Sequence, residues 1–385
     1  MTVTVLLVGG GSGGHVYPSI AVARALRELV PDLVAVFVGT ERGLEKDIVP
    51  RAGFQLELLP LSPVRGGGVG TAALGMLSLA RTLPRAREIV KRHAPVVVLS
   101  LGGYAATPVA LAARAAGVPL AVMSPDSVPG LSNRLVAPLC QRVYTAFEEA
   151  ESSFGRDVVL RTGVAIRRDF QPQSYGYGQP GHERRLNVLV LGGSQGARAL
   201  NELVPAALGR TGVIMNVVHQ VGRGNAEAVE RLYSYFGVDL EVSVKEFIDD
   251  MAQELAHADL VISRAGAGAI AEICAIGRPS ILLPLASAAG DHQTKNARAL
   301  ERAGAAICMP AAEATSESLS ALINRLRDNP ERLREMAVQA QAWGRPNAAD
   351  VVARDLLRLG GLLPGHPSSA PDPIPSRLTP ARGGV

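Results

Sequence analysis

One device occurs twice in this chain. Val3-Thr4-Val5-Leu6-Leu7-Val8 runs into Gly9-Gly10-Gly11-Ser12-Gly13-Gly14-His15, and Leu186-Asn187-Val188-Leu189-Val190-Leu191 runs into Gly192-Gly193-Ser194-Gln195-Gly196-Ala197. Each is an apolar run of strand length, a glycine-rich turn and then a helical pattern. A strand apolar along its whole length needs cover on both faces, which points to a parallel sheet between helix layers. The turn aims backbone N–H groups and the positive end of a helix at whatever lies above it, an anion site suited to phosphate. Two such units half a chain apart predict two similar α/β domains facing a shared, phosphate-rich cleft.

The 385 residues suffice for roughly two to three domains. Hydrophobic content is 47% against 19% charged, as buried parallel sheets require. The net charge of +4 is mild, and no basic stripe with interleaved aromatics is present, so nucleic acid is not an expected partner. Cys140, Cys274 and Cys308 lie far apart in apolar or small-residue surroundings, which argues for buried thiols in a reducing compartment. No basic segment precedes the first apolar run, and no apolar stretch reaches the ~18 residues needed to span a bilayer. The expectation is a cytoplasmic protein, at most peripherally attached to a membrane.

Strand patterns fall at 3–8, 34–38, 55–59, 96–100, 119–123 and 142–145, with helices between them that include 18–28 and 105–115. This alternation predicts a doubly wound sheet. Residues 171–184 lack periodicity and read as a loop or linker. The pattern then restarts, with strands near 186–191, 213–218, 240–242, 259–263, 280–284 and 305–309. Helices are expected near 197–208, 224–235, 248–256, 268–276, 293–303, 316–326, 330–343 and 347–359. From Gly360 the composition is Pro, Gly and Ser, and 360–385 reads as disordered.

Gly9-x-Gly11-x-x-Gly14 formally satisfies the dinucleotide fingerprint. A NAD site would want an acidic residue ending the second strand, but that strand ends Phe37-Val38-Gly39-Thr40, and the second turn lacks the spacing. A dehydrogenase is therefore the runner-up class. His15 and Ser194 add polar groups where a phosphate would lie. No Asp-x-Asp occurs, so a leaving diphosphate would be neutralised by helix dipoles and arginine rather than by a metal, and no metal site is expected.

Taken in order, Gly9–Pro18, Gly39-Thr40-Glu41-Arg42-Gly43-Leu44-Glu45, Gly102-Gly103-Tyr104, Gly192–Asn201, Phe247-Ile248-Asp249-Asp250-Met251, and Asp291-His292-Gln293 with Asn296-Ala297 resemble the MurG family, collinearly from about residue 3 to 359. The resemblance implies a GT-B fold: two Rossmann-like, doubly wound α/β domains with an interdomain cleft, at 1–162 and 163–343. It implies a helix at 345–359 returning to the first domain. It also implies inverting transfer of N-acetylglucosamine from UDP-GlcNAc to undecaprenyl-pyrophosphoryl-MurNAc-pentapeptide in peptidoglycan synthesis. UDP-GlcNAc is then substrate, no cofactor is needed, and the enzyme works peripherally at the cytoplasmic face of the cell membrane.

Site roles follow from the same resemblance. Ser194 and Arg167 would meet the UDP phosphates, and Ile248 the uracil. Ala267, Gly268, Ala269, Ile270 and Ala271 would form the helix start under ribose and phosphates, and Glu272 would accept from the ribose hydroxyls. Gln293 and Asn296 would read the sugar. Ser12, Gly13 and Gly14 are grouped with the donor pocket and, with Gly11, Gly102, Gly103 and Tyr104, would flank the acceptor's diphosphate. Asp291 could instead simply cap a helix. His15 is the candidate base, since an imidazole is suited to taking a proton near neutrality; phosphate binding and a structural role are its alternatives.

Two segments depart from the family pattern. Met123-Ser124-Pro125-Asp126 replaces His-Glu-Gln-Asn, which makes Asp126 a competing base, and Gly163-Val164-Ala165 replaces Gly-Asn-Pro. Another GT-B glycosyltransferase with a different lipid or metabolite acceptor, or a non-catalytic UDP-sugar-binding paralogue, therefore stays open. Finally, Leu74, Leu77 and Leu79 followed by Arg81 and Arg85 read as an apolar patch with a basic rim for an anionic membrane surface. The alternative is an ordinary helix, which Gly75 and Pro84 would break into shorter pieces.

Overall fold

The computed structural model describes residues 3–364 apart from 12, 42, 62–68, 179–184, 194–195, 214, 237–240 and 286–288, and backbone only for 69–80, 156 and 289. The first half contains β1 (Thr4–Val8), α1 (Gly13–Leu29), β2 (Val34–Thr40), α2 (Glu45–Arg51), β3 (Gln55–Leu59), α3 (Val69–His93) and β4 (Val97–Ser100). It continues through α4 (Ala106–Ala115), β5 (Leu120–Ser124), α5 (Leu131–Val136), β6 (Arg142–Thr145), α6 (Glu148–Glu151) and β7 (Val159–Arg161). The second half contains β8 (Leu186–Leu191), α7 (Arg198–Gly209), β9 (Met215–Gln220), α8 (Ala226–Tyr235), β10 (Glu241–Lys245), α9 (Met251–His257) and β11 (Leu260–Ser263). It ends with α10 (Ala267–Ile276), β12 (Ser280–Leu282), α11 (His292–Arg302), β13 (Ala306–Cys308), α12 (Ser316–Arg327), α13 (Pro330–Trp343) and α14 (Ala348–Leu359).

The strands form two sheets, ordered β3-β2-β1-β4-β5-β6-β7 and β10-β9-β8-β11-β12-β13. Every pairing in both is parallel. β1, β4, β5, β8 and β11 are almost wholly buried, as their unbroken apolar sequences require. In each sheet the order reverses beside the strand that carries a glycine-rich turn. Val8 ends opposite Ser100 in the first, and Leu191 opposite Ser263 in the second. Crevices that bind ligands open at such reversals, at the carboxyl ends of the strands.

α14 packs against the first sheet's helical layer. Ala349, Val352, Ala353, Leu356 and Leu357 share one core with Val16, Ile20, Leu26 and Phe37. Within the contact, Arg142 Nε and Tyr144 OH of β6 donate to Asp355 Oδ2 at 2.8 and 2.9 Å. Burial first, and then the Asp355 charge, raise the Tyr144 phenol well above its ordinary range. The segment between β7 and β8 has neither helix nor strand in its described part, and the buried Arg278 guanidinium pins it by donating to the carbonyls of Gln173 and Ser174.

Several boundaries differ from expectation. α1 starts at Gly13 rather than at Pro18, because a proline in the helix forfeits only its own N–H bond while Ser19 Oγ donates to the His15 carbonyl at 2.9 Å. α3 runs unbroken through Gly75 and Pro84, its second half held by buried Ala86, Ile89 and Val90. α9 begins at Met251 rather than 248, capped by Asp250, which accepts from the Gln253 N–H at 3.1 Å. The short β7 and α6, both beyond the last strand expected in the first half, were not expected. Residues 365–385 lie outside the described residues.

Candidate active site

The first crevice is built by the turns after β1, β4 and β5. Gly13, Gly14 and His15 occupy the first turn of α1, where backbone N–H groups have no intrahelical acceptor. The His15 ring is partly buried, with Nδ1 3.3 Å from the Gly10 carbonyl. Tyr104 stands half exposed after β4. The N–H groups of Gly11, Gly102 and Gly103 are engaged within the protein. The Gly11 N–H donates to Glu45 Oε2 at 2.8 Å, and those of Gly102 and Gly103 face Ser100 and Ser132 hydroxyls at 3.4 and 3.1 Å. All three amides thus have internal acceptors. These glycines instead let the turns approach each other: at Gly103 (φ +83°) a Cβ would come within 2.9 Å of the Gly10 carbonyl oxygen.

The second crevice is built by the turn after β8, the turn after β11 and the starts of α7, α10 and α11. Ser194, like Ser12, lies outside the described residues. Gly192 and Gly196 are glycines because a Cβ would strike the Gln220 and Val221 carbonyls. Ala267, Gly268 and Ala269 form the first turn of α10, followed by Ile270 and Ala271, and Glu272 lies partly buried one turn further on. Burial pushes the Glu272 carboxyl up to about 7, with the Arg167 charge pulling it the other way. Arg167 is only loosely engaged, 3.9 Å from Asp169 and above the Phe170 ring. The Ile248 side chain is buried beside Ile166 and Ala271, so only its backbone remains for a base. Gln293 accepts the Leu285 N–H through Oε1 at 2.9 Å, which orients its amide. Asp291 adopts a left-handed conformation and makes no capping bond, so the cap reading does not hold.

The two crevices meet at a buried junction. Asn296 has no exposed surface. Its Oδ1 accepts the Ser127 N–H at 2.9 Å, and its Nδ2 donates to Asp126 Oδ1 and the Ala265 carbonyl at 3.0 and 3.1 Å. Ser127 Oγ also donates to the His292 carbonyl at 3.3 Å. Asn296 is therefore a structural link between the turn after β5 and α11, and the expectation that it reads sugar hydroxyls is corrected. Asp126 sits at the same link.

Two residues were missed. Glu45, 1% exposed, reaches the first glycine turn from α2. Arg264 follows β11 directly, beside the sheet reversal. Its carbonyl accepts the Ser263 hydroxyl at 2.9 Å, but its side chain makes no hydrogen bond or ion pair among the described residues, its Nε is buried without a partner, and burial lowers its pKa. The available signal for Arg264 was its place: a cation immediately after an apolar strand and before a glycine-rich helix start.

The basic rim needs correction at Arg85. Its guanidinium bonds Glu88 at 2.7 Å and Glu57 of β3 at 3.3 Å, so it helps seat α3 on the sheet. Arg81, Arg87 and Lys91 are exposed and make no ion pair among the described residues. The side chains of Leu74, Leu77 and Leu79 lie outside the described residues. No described helix is long and apolar enough to cross a membrane. A recess lined by Asn187, Asn216, Glu241, Glu254 and His257 opens at the amino ends of β8, β9 and β10, and holds none of the expected residues.

Two doubly wound parallel sheets, each with a glycine-rich turn at its reversal and a cation or carboxylate beside it, define a GT-B glycosyltransferase architecture. Residues 5–145 match the glycosyltransferase family 28 N-terminal domain, and 187–352 match its C-terminal domain. A Sorangium cellulosum (strain So ce56) protein named UDP-N-acetylglucosamine--N-acetylmuramyl-(pentapeptide) pyrophosphoryl-undecaprenol N-acetylglucosamine transferase is 48% identical over 362 residues, covering 93% of this chain and 88% of that protein. A protein of the same name from Anaeromyxobacter sp. (strain K) is 41% identical, covering 90% and 91%. The crystal structure of Acinetobacter baumannii MurG superimposes with a TM-score of 0.76 at 30% identity, covering 92% of this chain and 99% of that one. The chain belongs to glycosyltransferase family 28 and, within it, to the MurG family.

Proposed function

We propose that this chain transfers N-acetylglucosamine, with inversion, from UDP-GlcNAc to undecaprenyl-pyrophosphoryl-MurNAc-pentapeptide, giving the lipid-linked disaccharide used in peptidoglycan synthesis. The observation that carries the reading is the second crevice. There a partly buried carboxylate, Glu272, a loosely held Arg167 and an Arg264 whose side chain has no partner among the described residues lie by the start of α10. That set suits a ribose diol beside a diphosphate. In this reading residues 1–162 bind the acceptor, 163–343 bind the donor, and 345–359 tie the second unit to the first.

The acceptor hydroxyl attacks C1 of the donor sugar as the C1–O bond to UDP breaks. Positive charge develops on the sugar and negative charge on the diphosphate. The starts of α7 and α10, Ser194, Arg167 and Arg264 stabilise the negative charge, and one well-placed donor is worth roughly 10²–10³ in rate. Gln293, its Oε1 fixed by Leu285, offers its Nε2 to the sugar. His15 takes the hydroxyl proton. UDP-GlcNAc is substrate, and the reaction draws on no further cofactor. The acceptor's lipid places the enzyme peripherally on an anionic, cytoplasmic membrane face, with α3 as the docking element.

The test is UDP release with and without a lipid-linked MurNAc-pentapeptide analogue, with the product identified by mass. Acceptor-dependent release and a disaccharide product are expected. Turnover with a different lipid or metabolite acceptor alone would shift the reading to the divergent turn at 123–126. Binding of UDP-GlcNAc without any turnover would overturn it.

A further inference from the structure

Glu45 is a charged group in an unusual place. Its carboxylate is buried among Gly10, Gly39 and Gly43, where any added side chain would overlap it. It takes part in no ion pair among the described residues. Its Oε1 accepts the Thr40 N–H at 2.8 Å and the Thr40 hydroxyl at 3.0 Å, and its Oε2 accepts the Gly11 N–H at 2.8 Å. A buried carboxylate satisfied only by neutral donors among the described residues is costly to keep, so its contact with the glycine turn calls for a reason.

The Gly11 N–H and the Gly10 carbonyl belong to a single peptide group. Glu45 bonds one end of that group, and His15 Nδ1 lies 3.3 Å from the other. The Gly10 carbonyl can only accept, so His15 carries its proton on Nδ1, and in the neutral ring Nε2 is the basic nitrogen. A carboxylate on the amide end draws electron density toward the carbonyl oxygen and strengthens the bond that oxygen accepts. The close approach of Gly103 to the Gly10 carbonyl holds the peptide from the other side.

We propose that Glu45 is a positioning residue for His15, acting through the Gly10–Gly11 peptide as a carboxylate–peptide–imidazole relay. The proposal rests on the reading of His15 as base. The acceptor O–H proton passes to Nε2 as the new O–C1 bond forms, and the electron pair of the C1–O bond leaves with UDP. The Nδ1–H stays in place. The relay also accounts for the glycines at 10, 39 and 43, which form a socket for one carboxylate.

The experiment uses full-length enzyme labelled with ¹⁵N-histidine, with His15→Gln to assign the His15 signals. Wild-type His15 is expected as the Nδ1–H tautomer at pH 8. Glu45→Gln presents an amide where the Gly11 N–H needs an acceptor. It should mix the tautomers and lower kcat on the order of 10–100-fold, with donor KM changed less than about twofold. Thr40→Val removes a bond on the far side of the same carboxylate, and should keep the tautomer and kcat within about threefold. An Nε2–H tautomer in the wild type, or equal kcat losses in Glu45→Gln and Thr40→Val with unchanged tautomer, overturns the relay. If His15→Gln loses kcat and Glu45→Gln does not, the relay alone falls. If His15→Gln keeps kcat, the base assignment falls and takes the relay's catalytic role with it.

Discussion

Replacing Glu272 by Gln should stabilise the ligand-free enzyme at alkaline pH while weakening its grip on the donor. Burial raises this carboxyl from its ordinary 4.5 to about 7. Between those values the folded protein holds a proton that the unfolded chain has released. Stability therefore falls as pH rises through this window, and the penalty is complete above about 7. The shift is worth about 3 kcal/mol between the acid and alkaline limits, of which about 2 kcal/mol falls between pH 5.5 and 8. The amide of the Glu272→Gln variant cannot ionise, so that slope disappears. Urea denaturation of both proteins at the two pH values, without donor, measures the difference directly, and other titrating groups cancel in the comparison. Ribose hydroxyls donating to the carboxylate would lower its pKa, so UDP binding near pH 7 should release a proton in the wild type and none in Glu272→Gln. Calorimetry in buffers of different ionisation enthalpy reads this. An equal stability gap at pH 5.5 and 8, with buffer-independent UDP heats in the wild type, would refute both the burial argument and the ribose assignment.

Three further outcomes are expected. Arg264→Ala should lower kcat on the order of 10²–10³-fold with a smaller change in donor KM, because the lost charge matters most as the diphosphate leaves; steady-state kinetics check it. Asp355→Ala removes the buried carboxylate that Arg142 and Tyr144 share and should cost about 3–5 kcal/mol by chemical denaturation. Leu77→Ser with Leu79→Ser should reduce salt-sensitive binding to anionic vesicles in sedimentation while leaving UDP affinity intact; loss of fold instead would make those leucines core.

Both sheets were legible because a strand buried on two faces announces itself: 186–191 and 259–263 could hardly be anything else beside glycine turns. The second crevice was legible for the same reason, since Glu272 is a lone charge on an otherwise apolar helix. What the sequence hid was convergence. Glu45 meets Gly11 across 34 positions, a contact set by α2 folding back under the turn. Asn296 could be placed on the face of α11 near the donor, but whether its amide met sugar or the turn at 126–127 depended on how two separate units seat. Pro84 misled in the other direction: its missing N–H removes one bond, and packing of the next two turns outweighs that.

The return of α14 makes the first unit's core discontinuous in the chain. Val16, Ile20 and Leu26 wait for Val352, Leu356 and Leu357, and about 190 residues separate β7 from α14. At the usual rate of protein synthesis that interval is on the order of 10–40 s. Throughout it the emerging first unit presents an uncovered apolar stripe, and the buried Arg142 lacks Asp355. Birth on the ribosome therefore couples the maturation of the first unit to completion of the second. A chain cut anywhere before residue 348 leaves a sticky, half-finished sheet rather than an independent smaller enzyme.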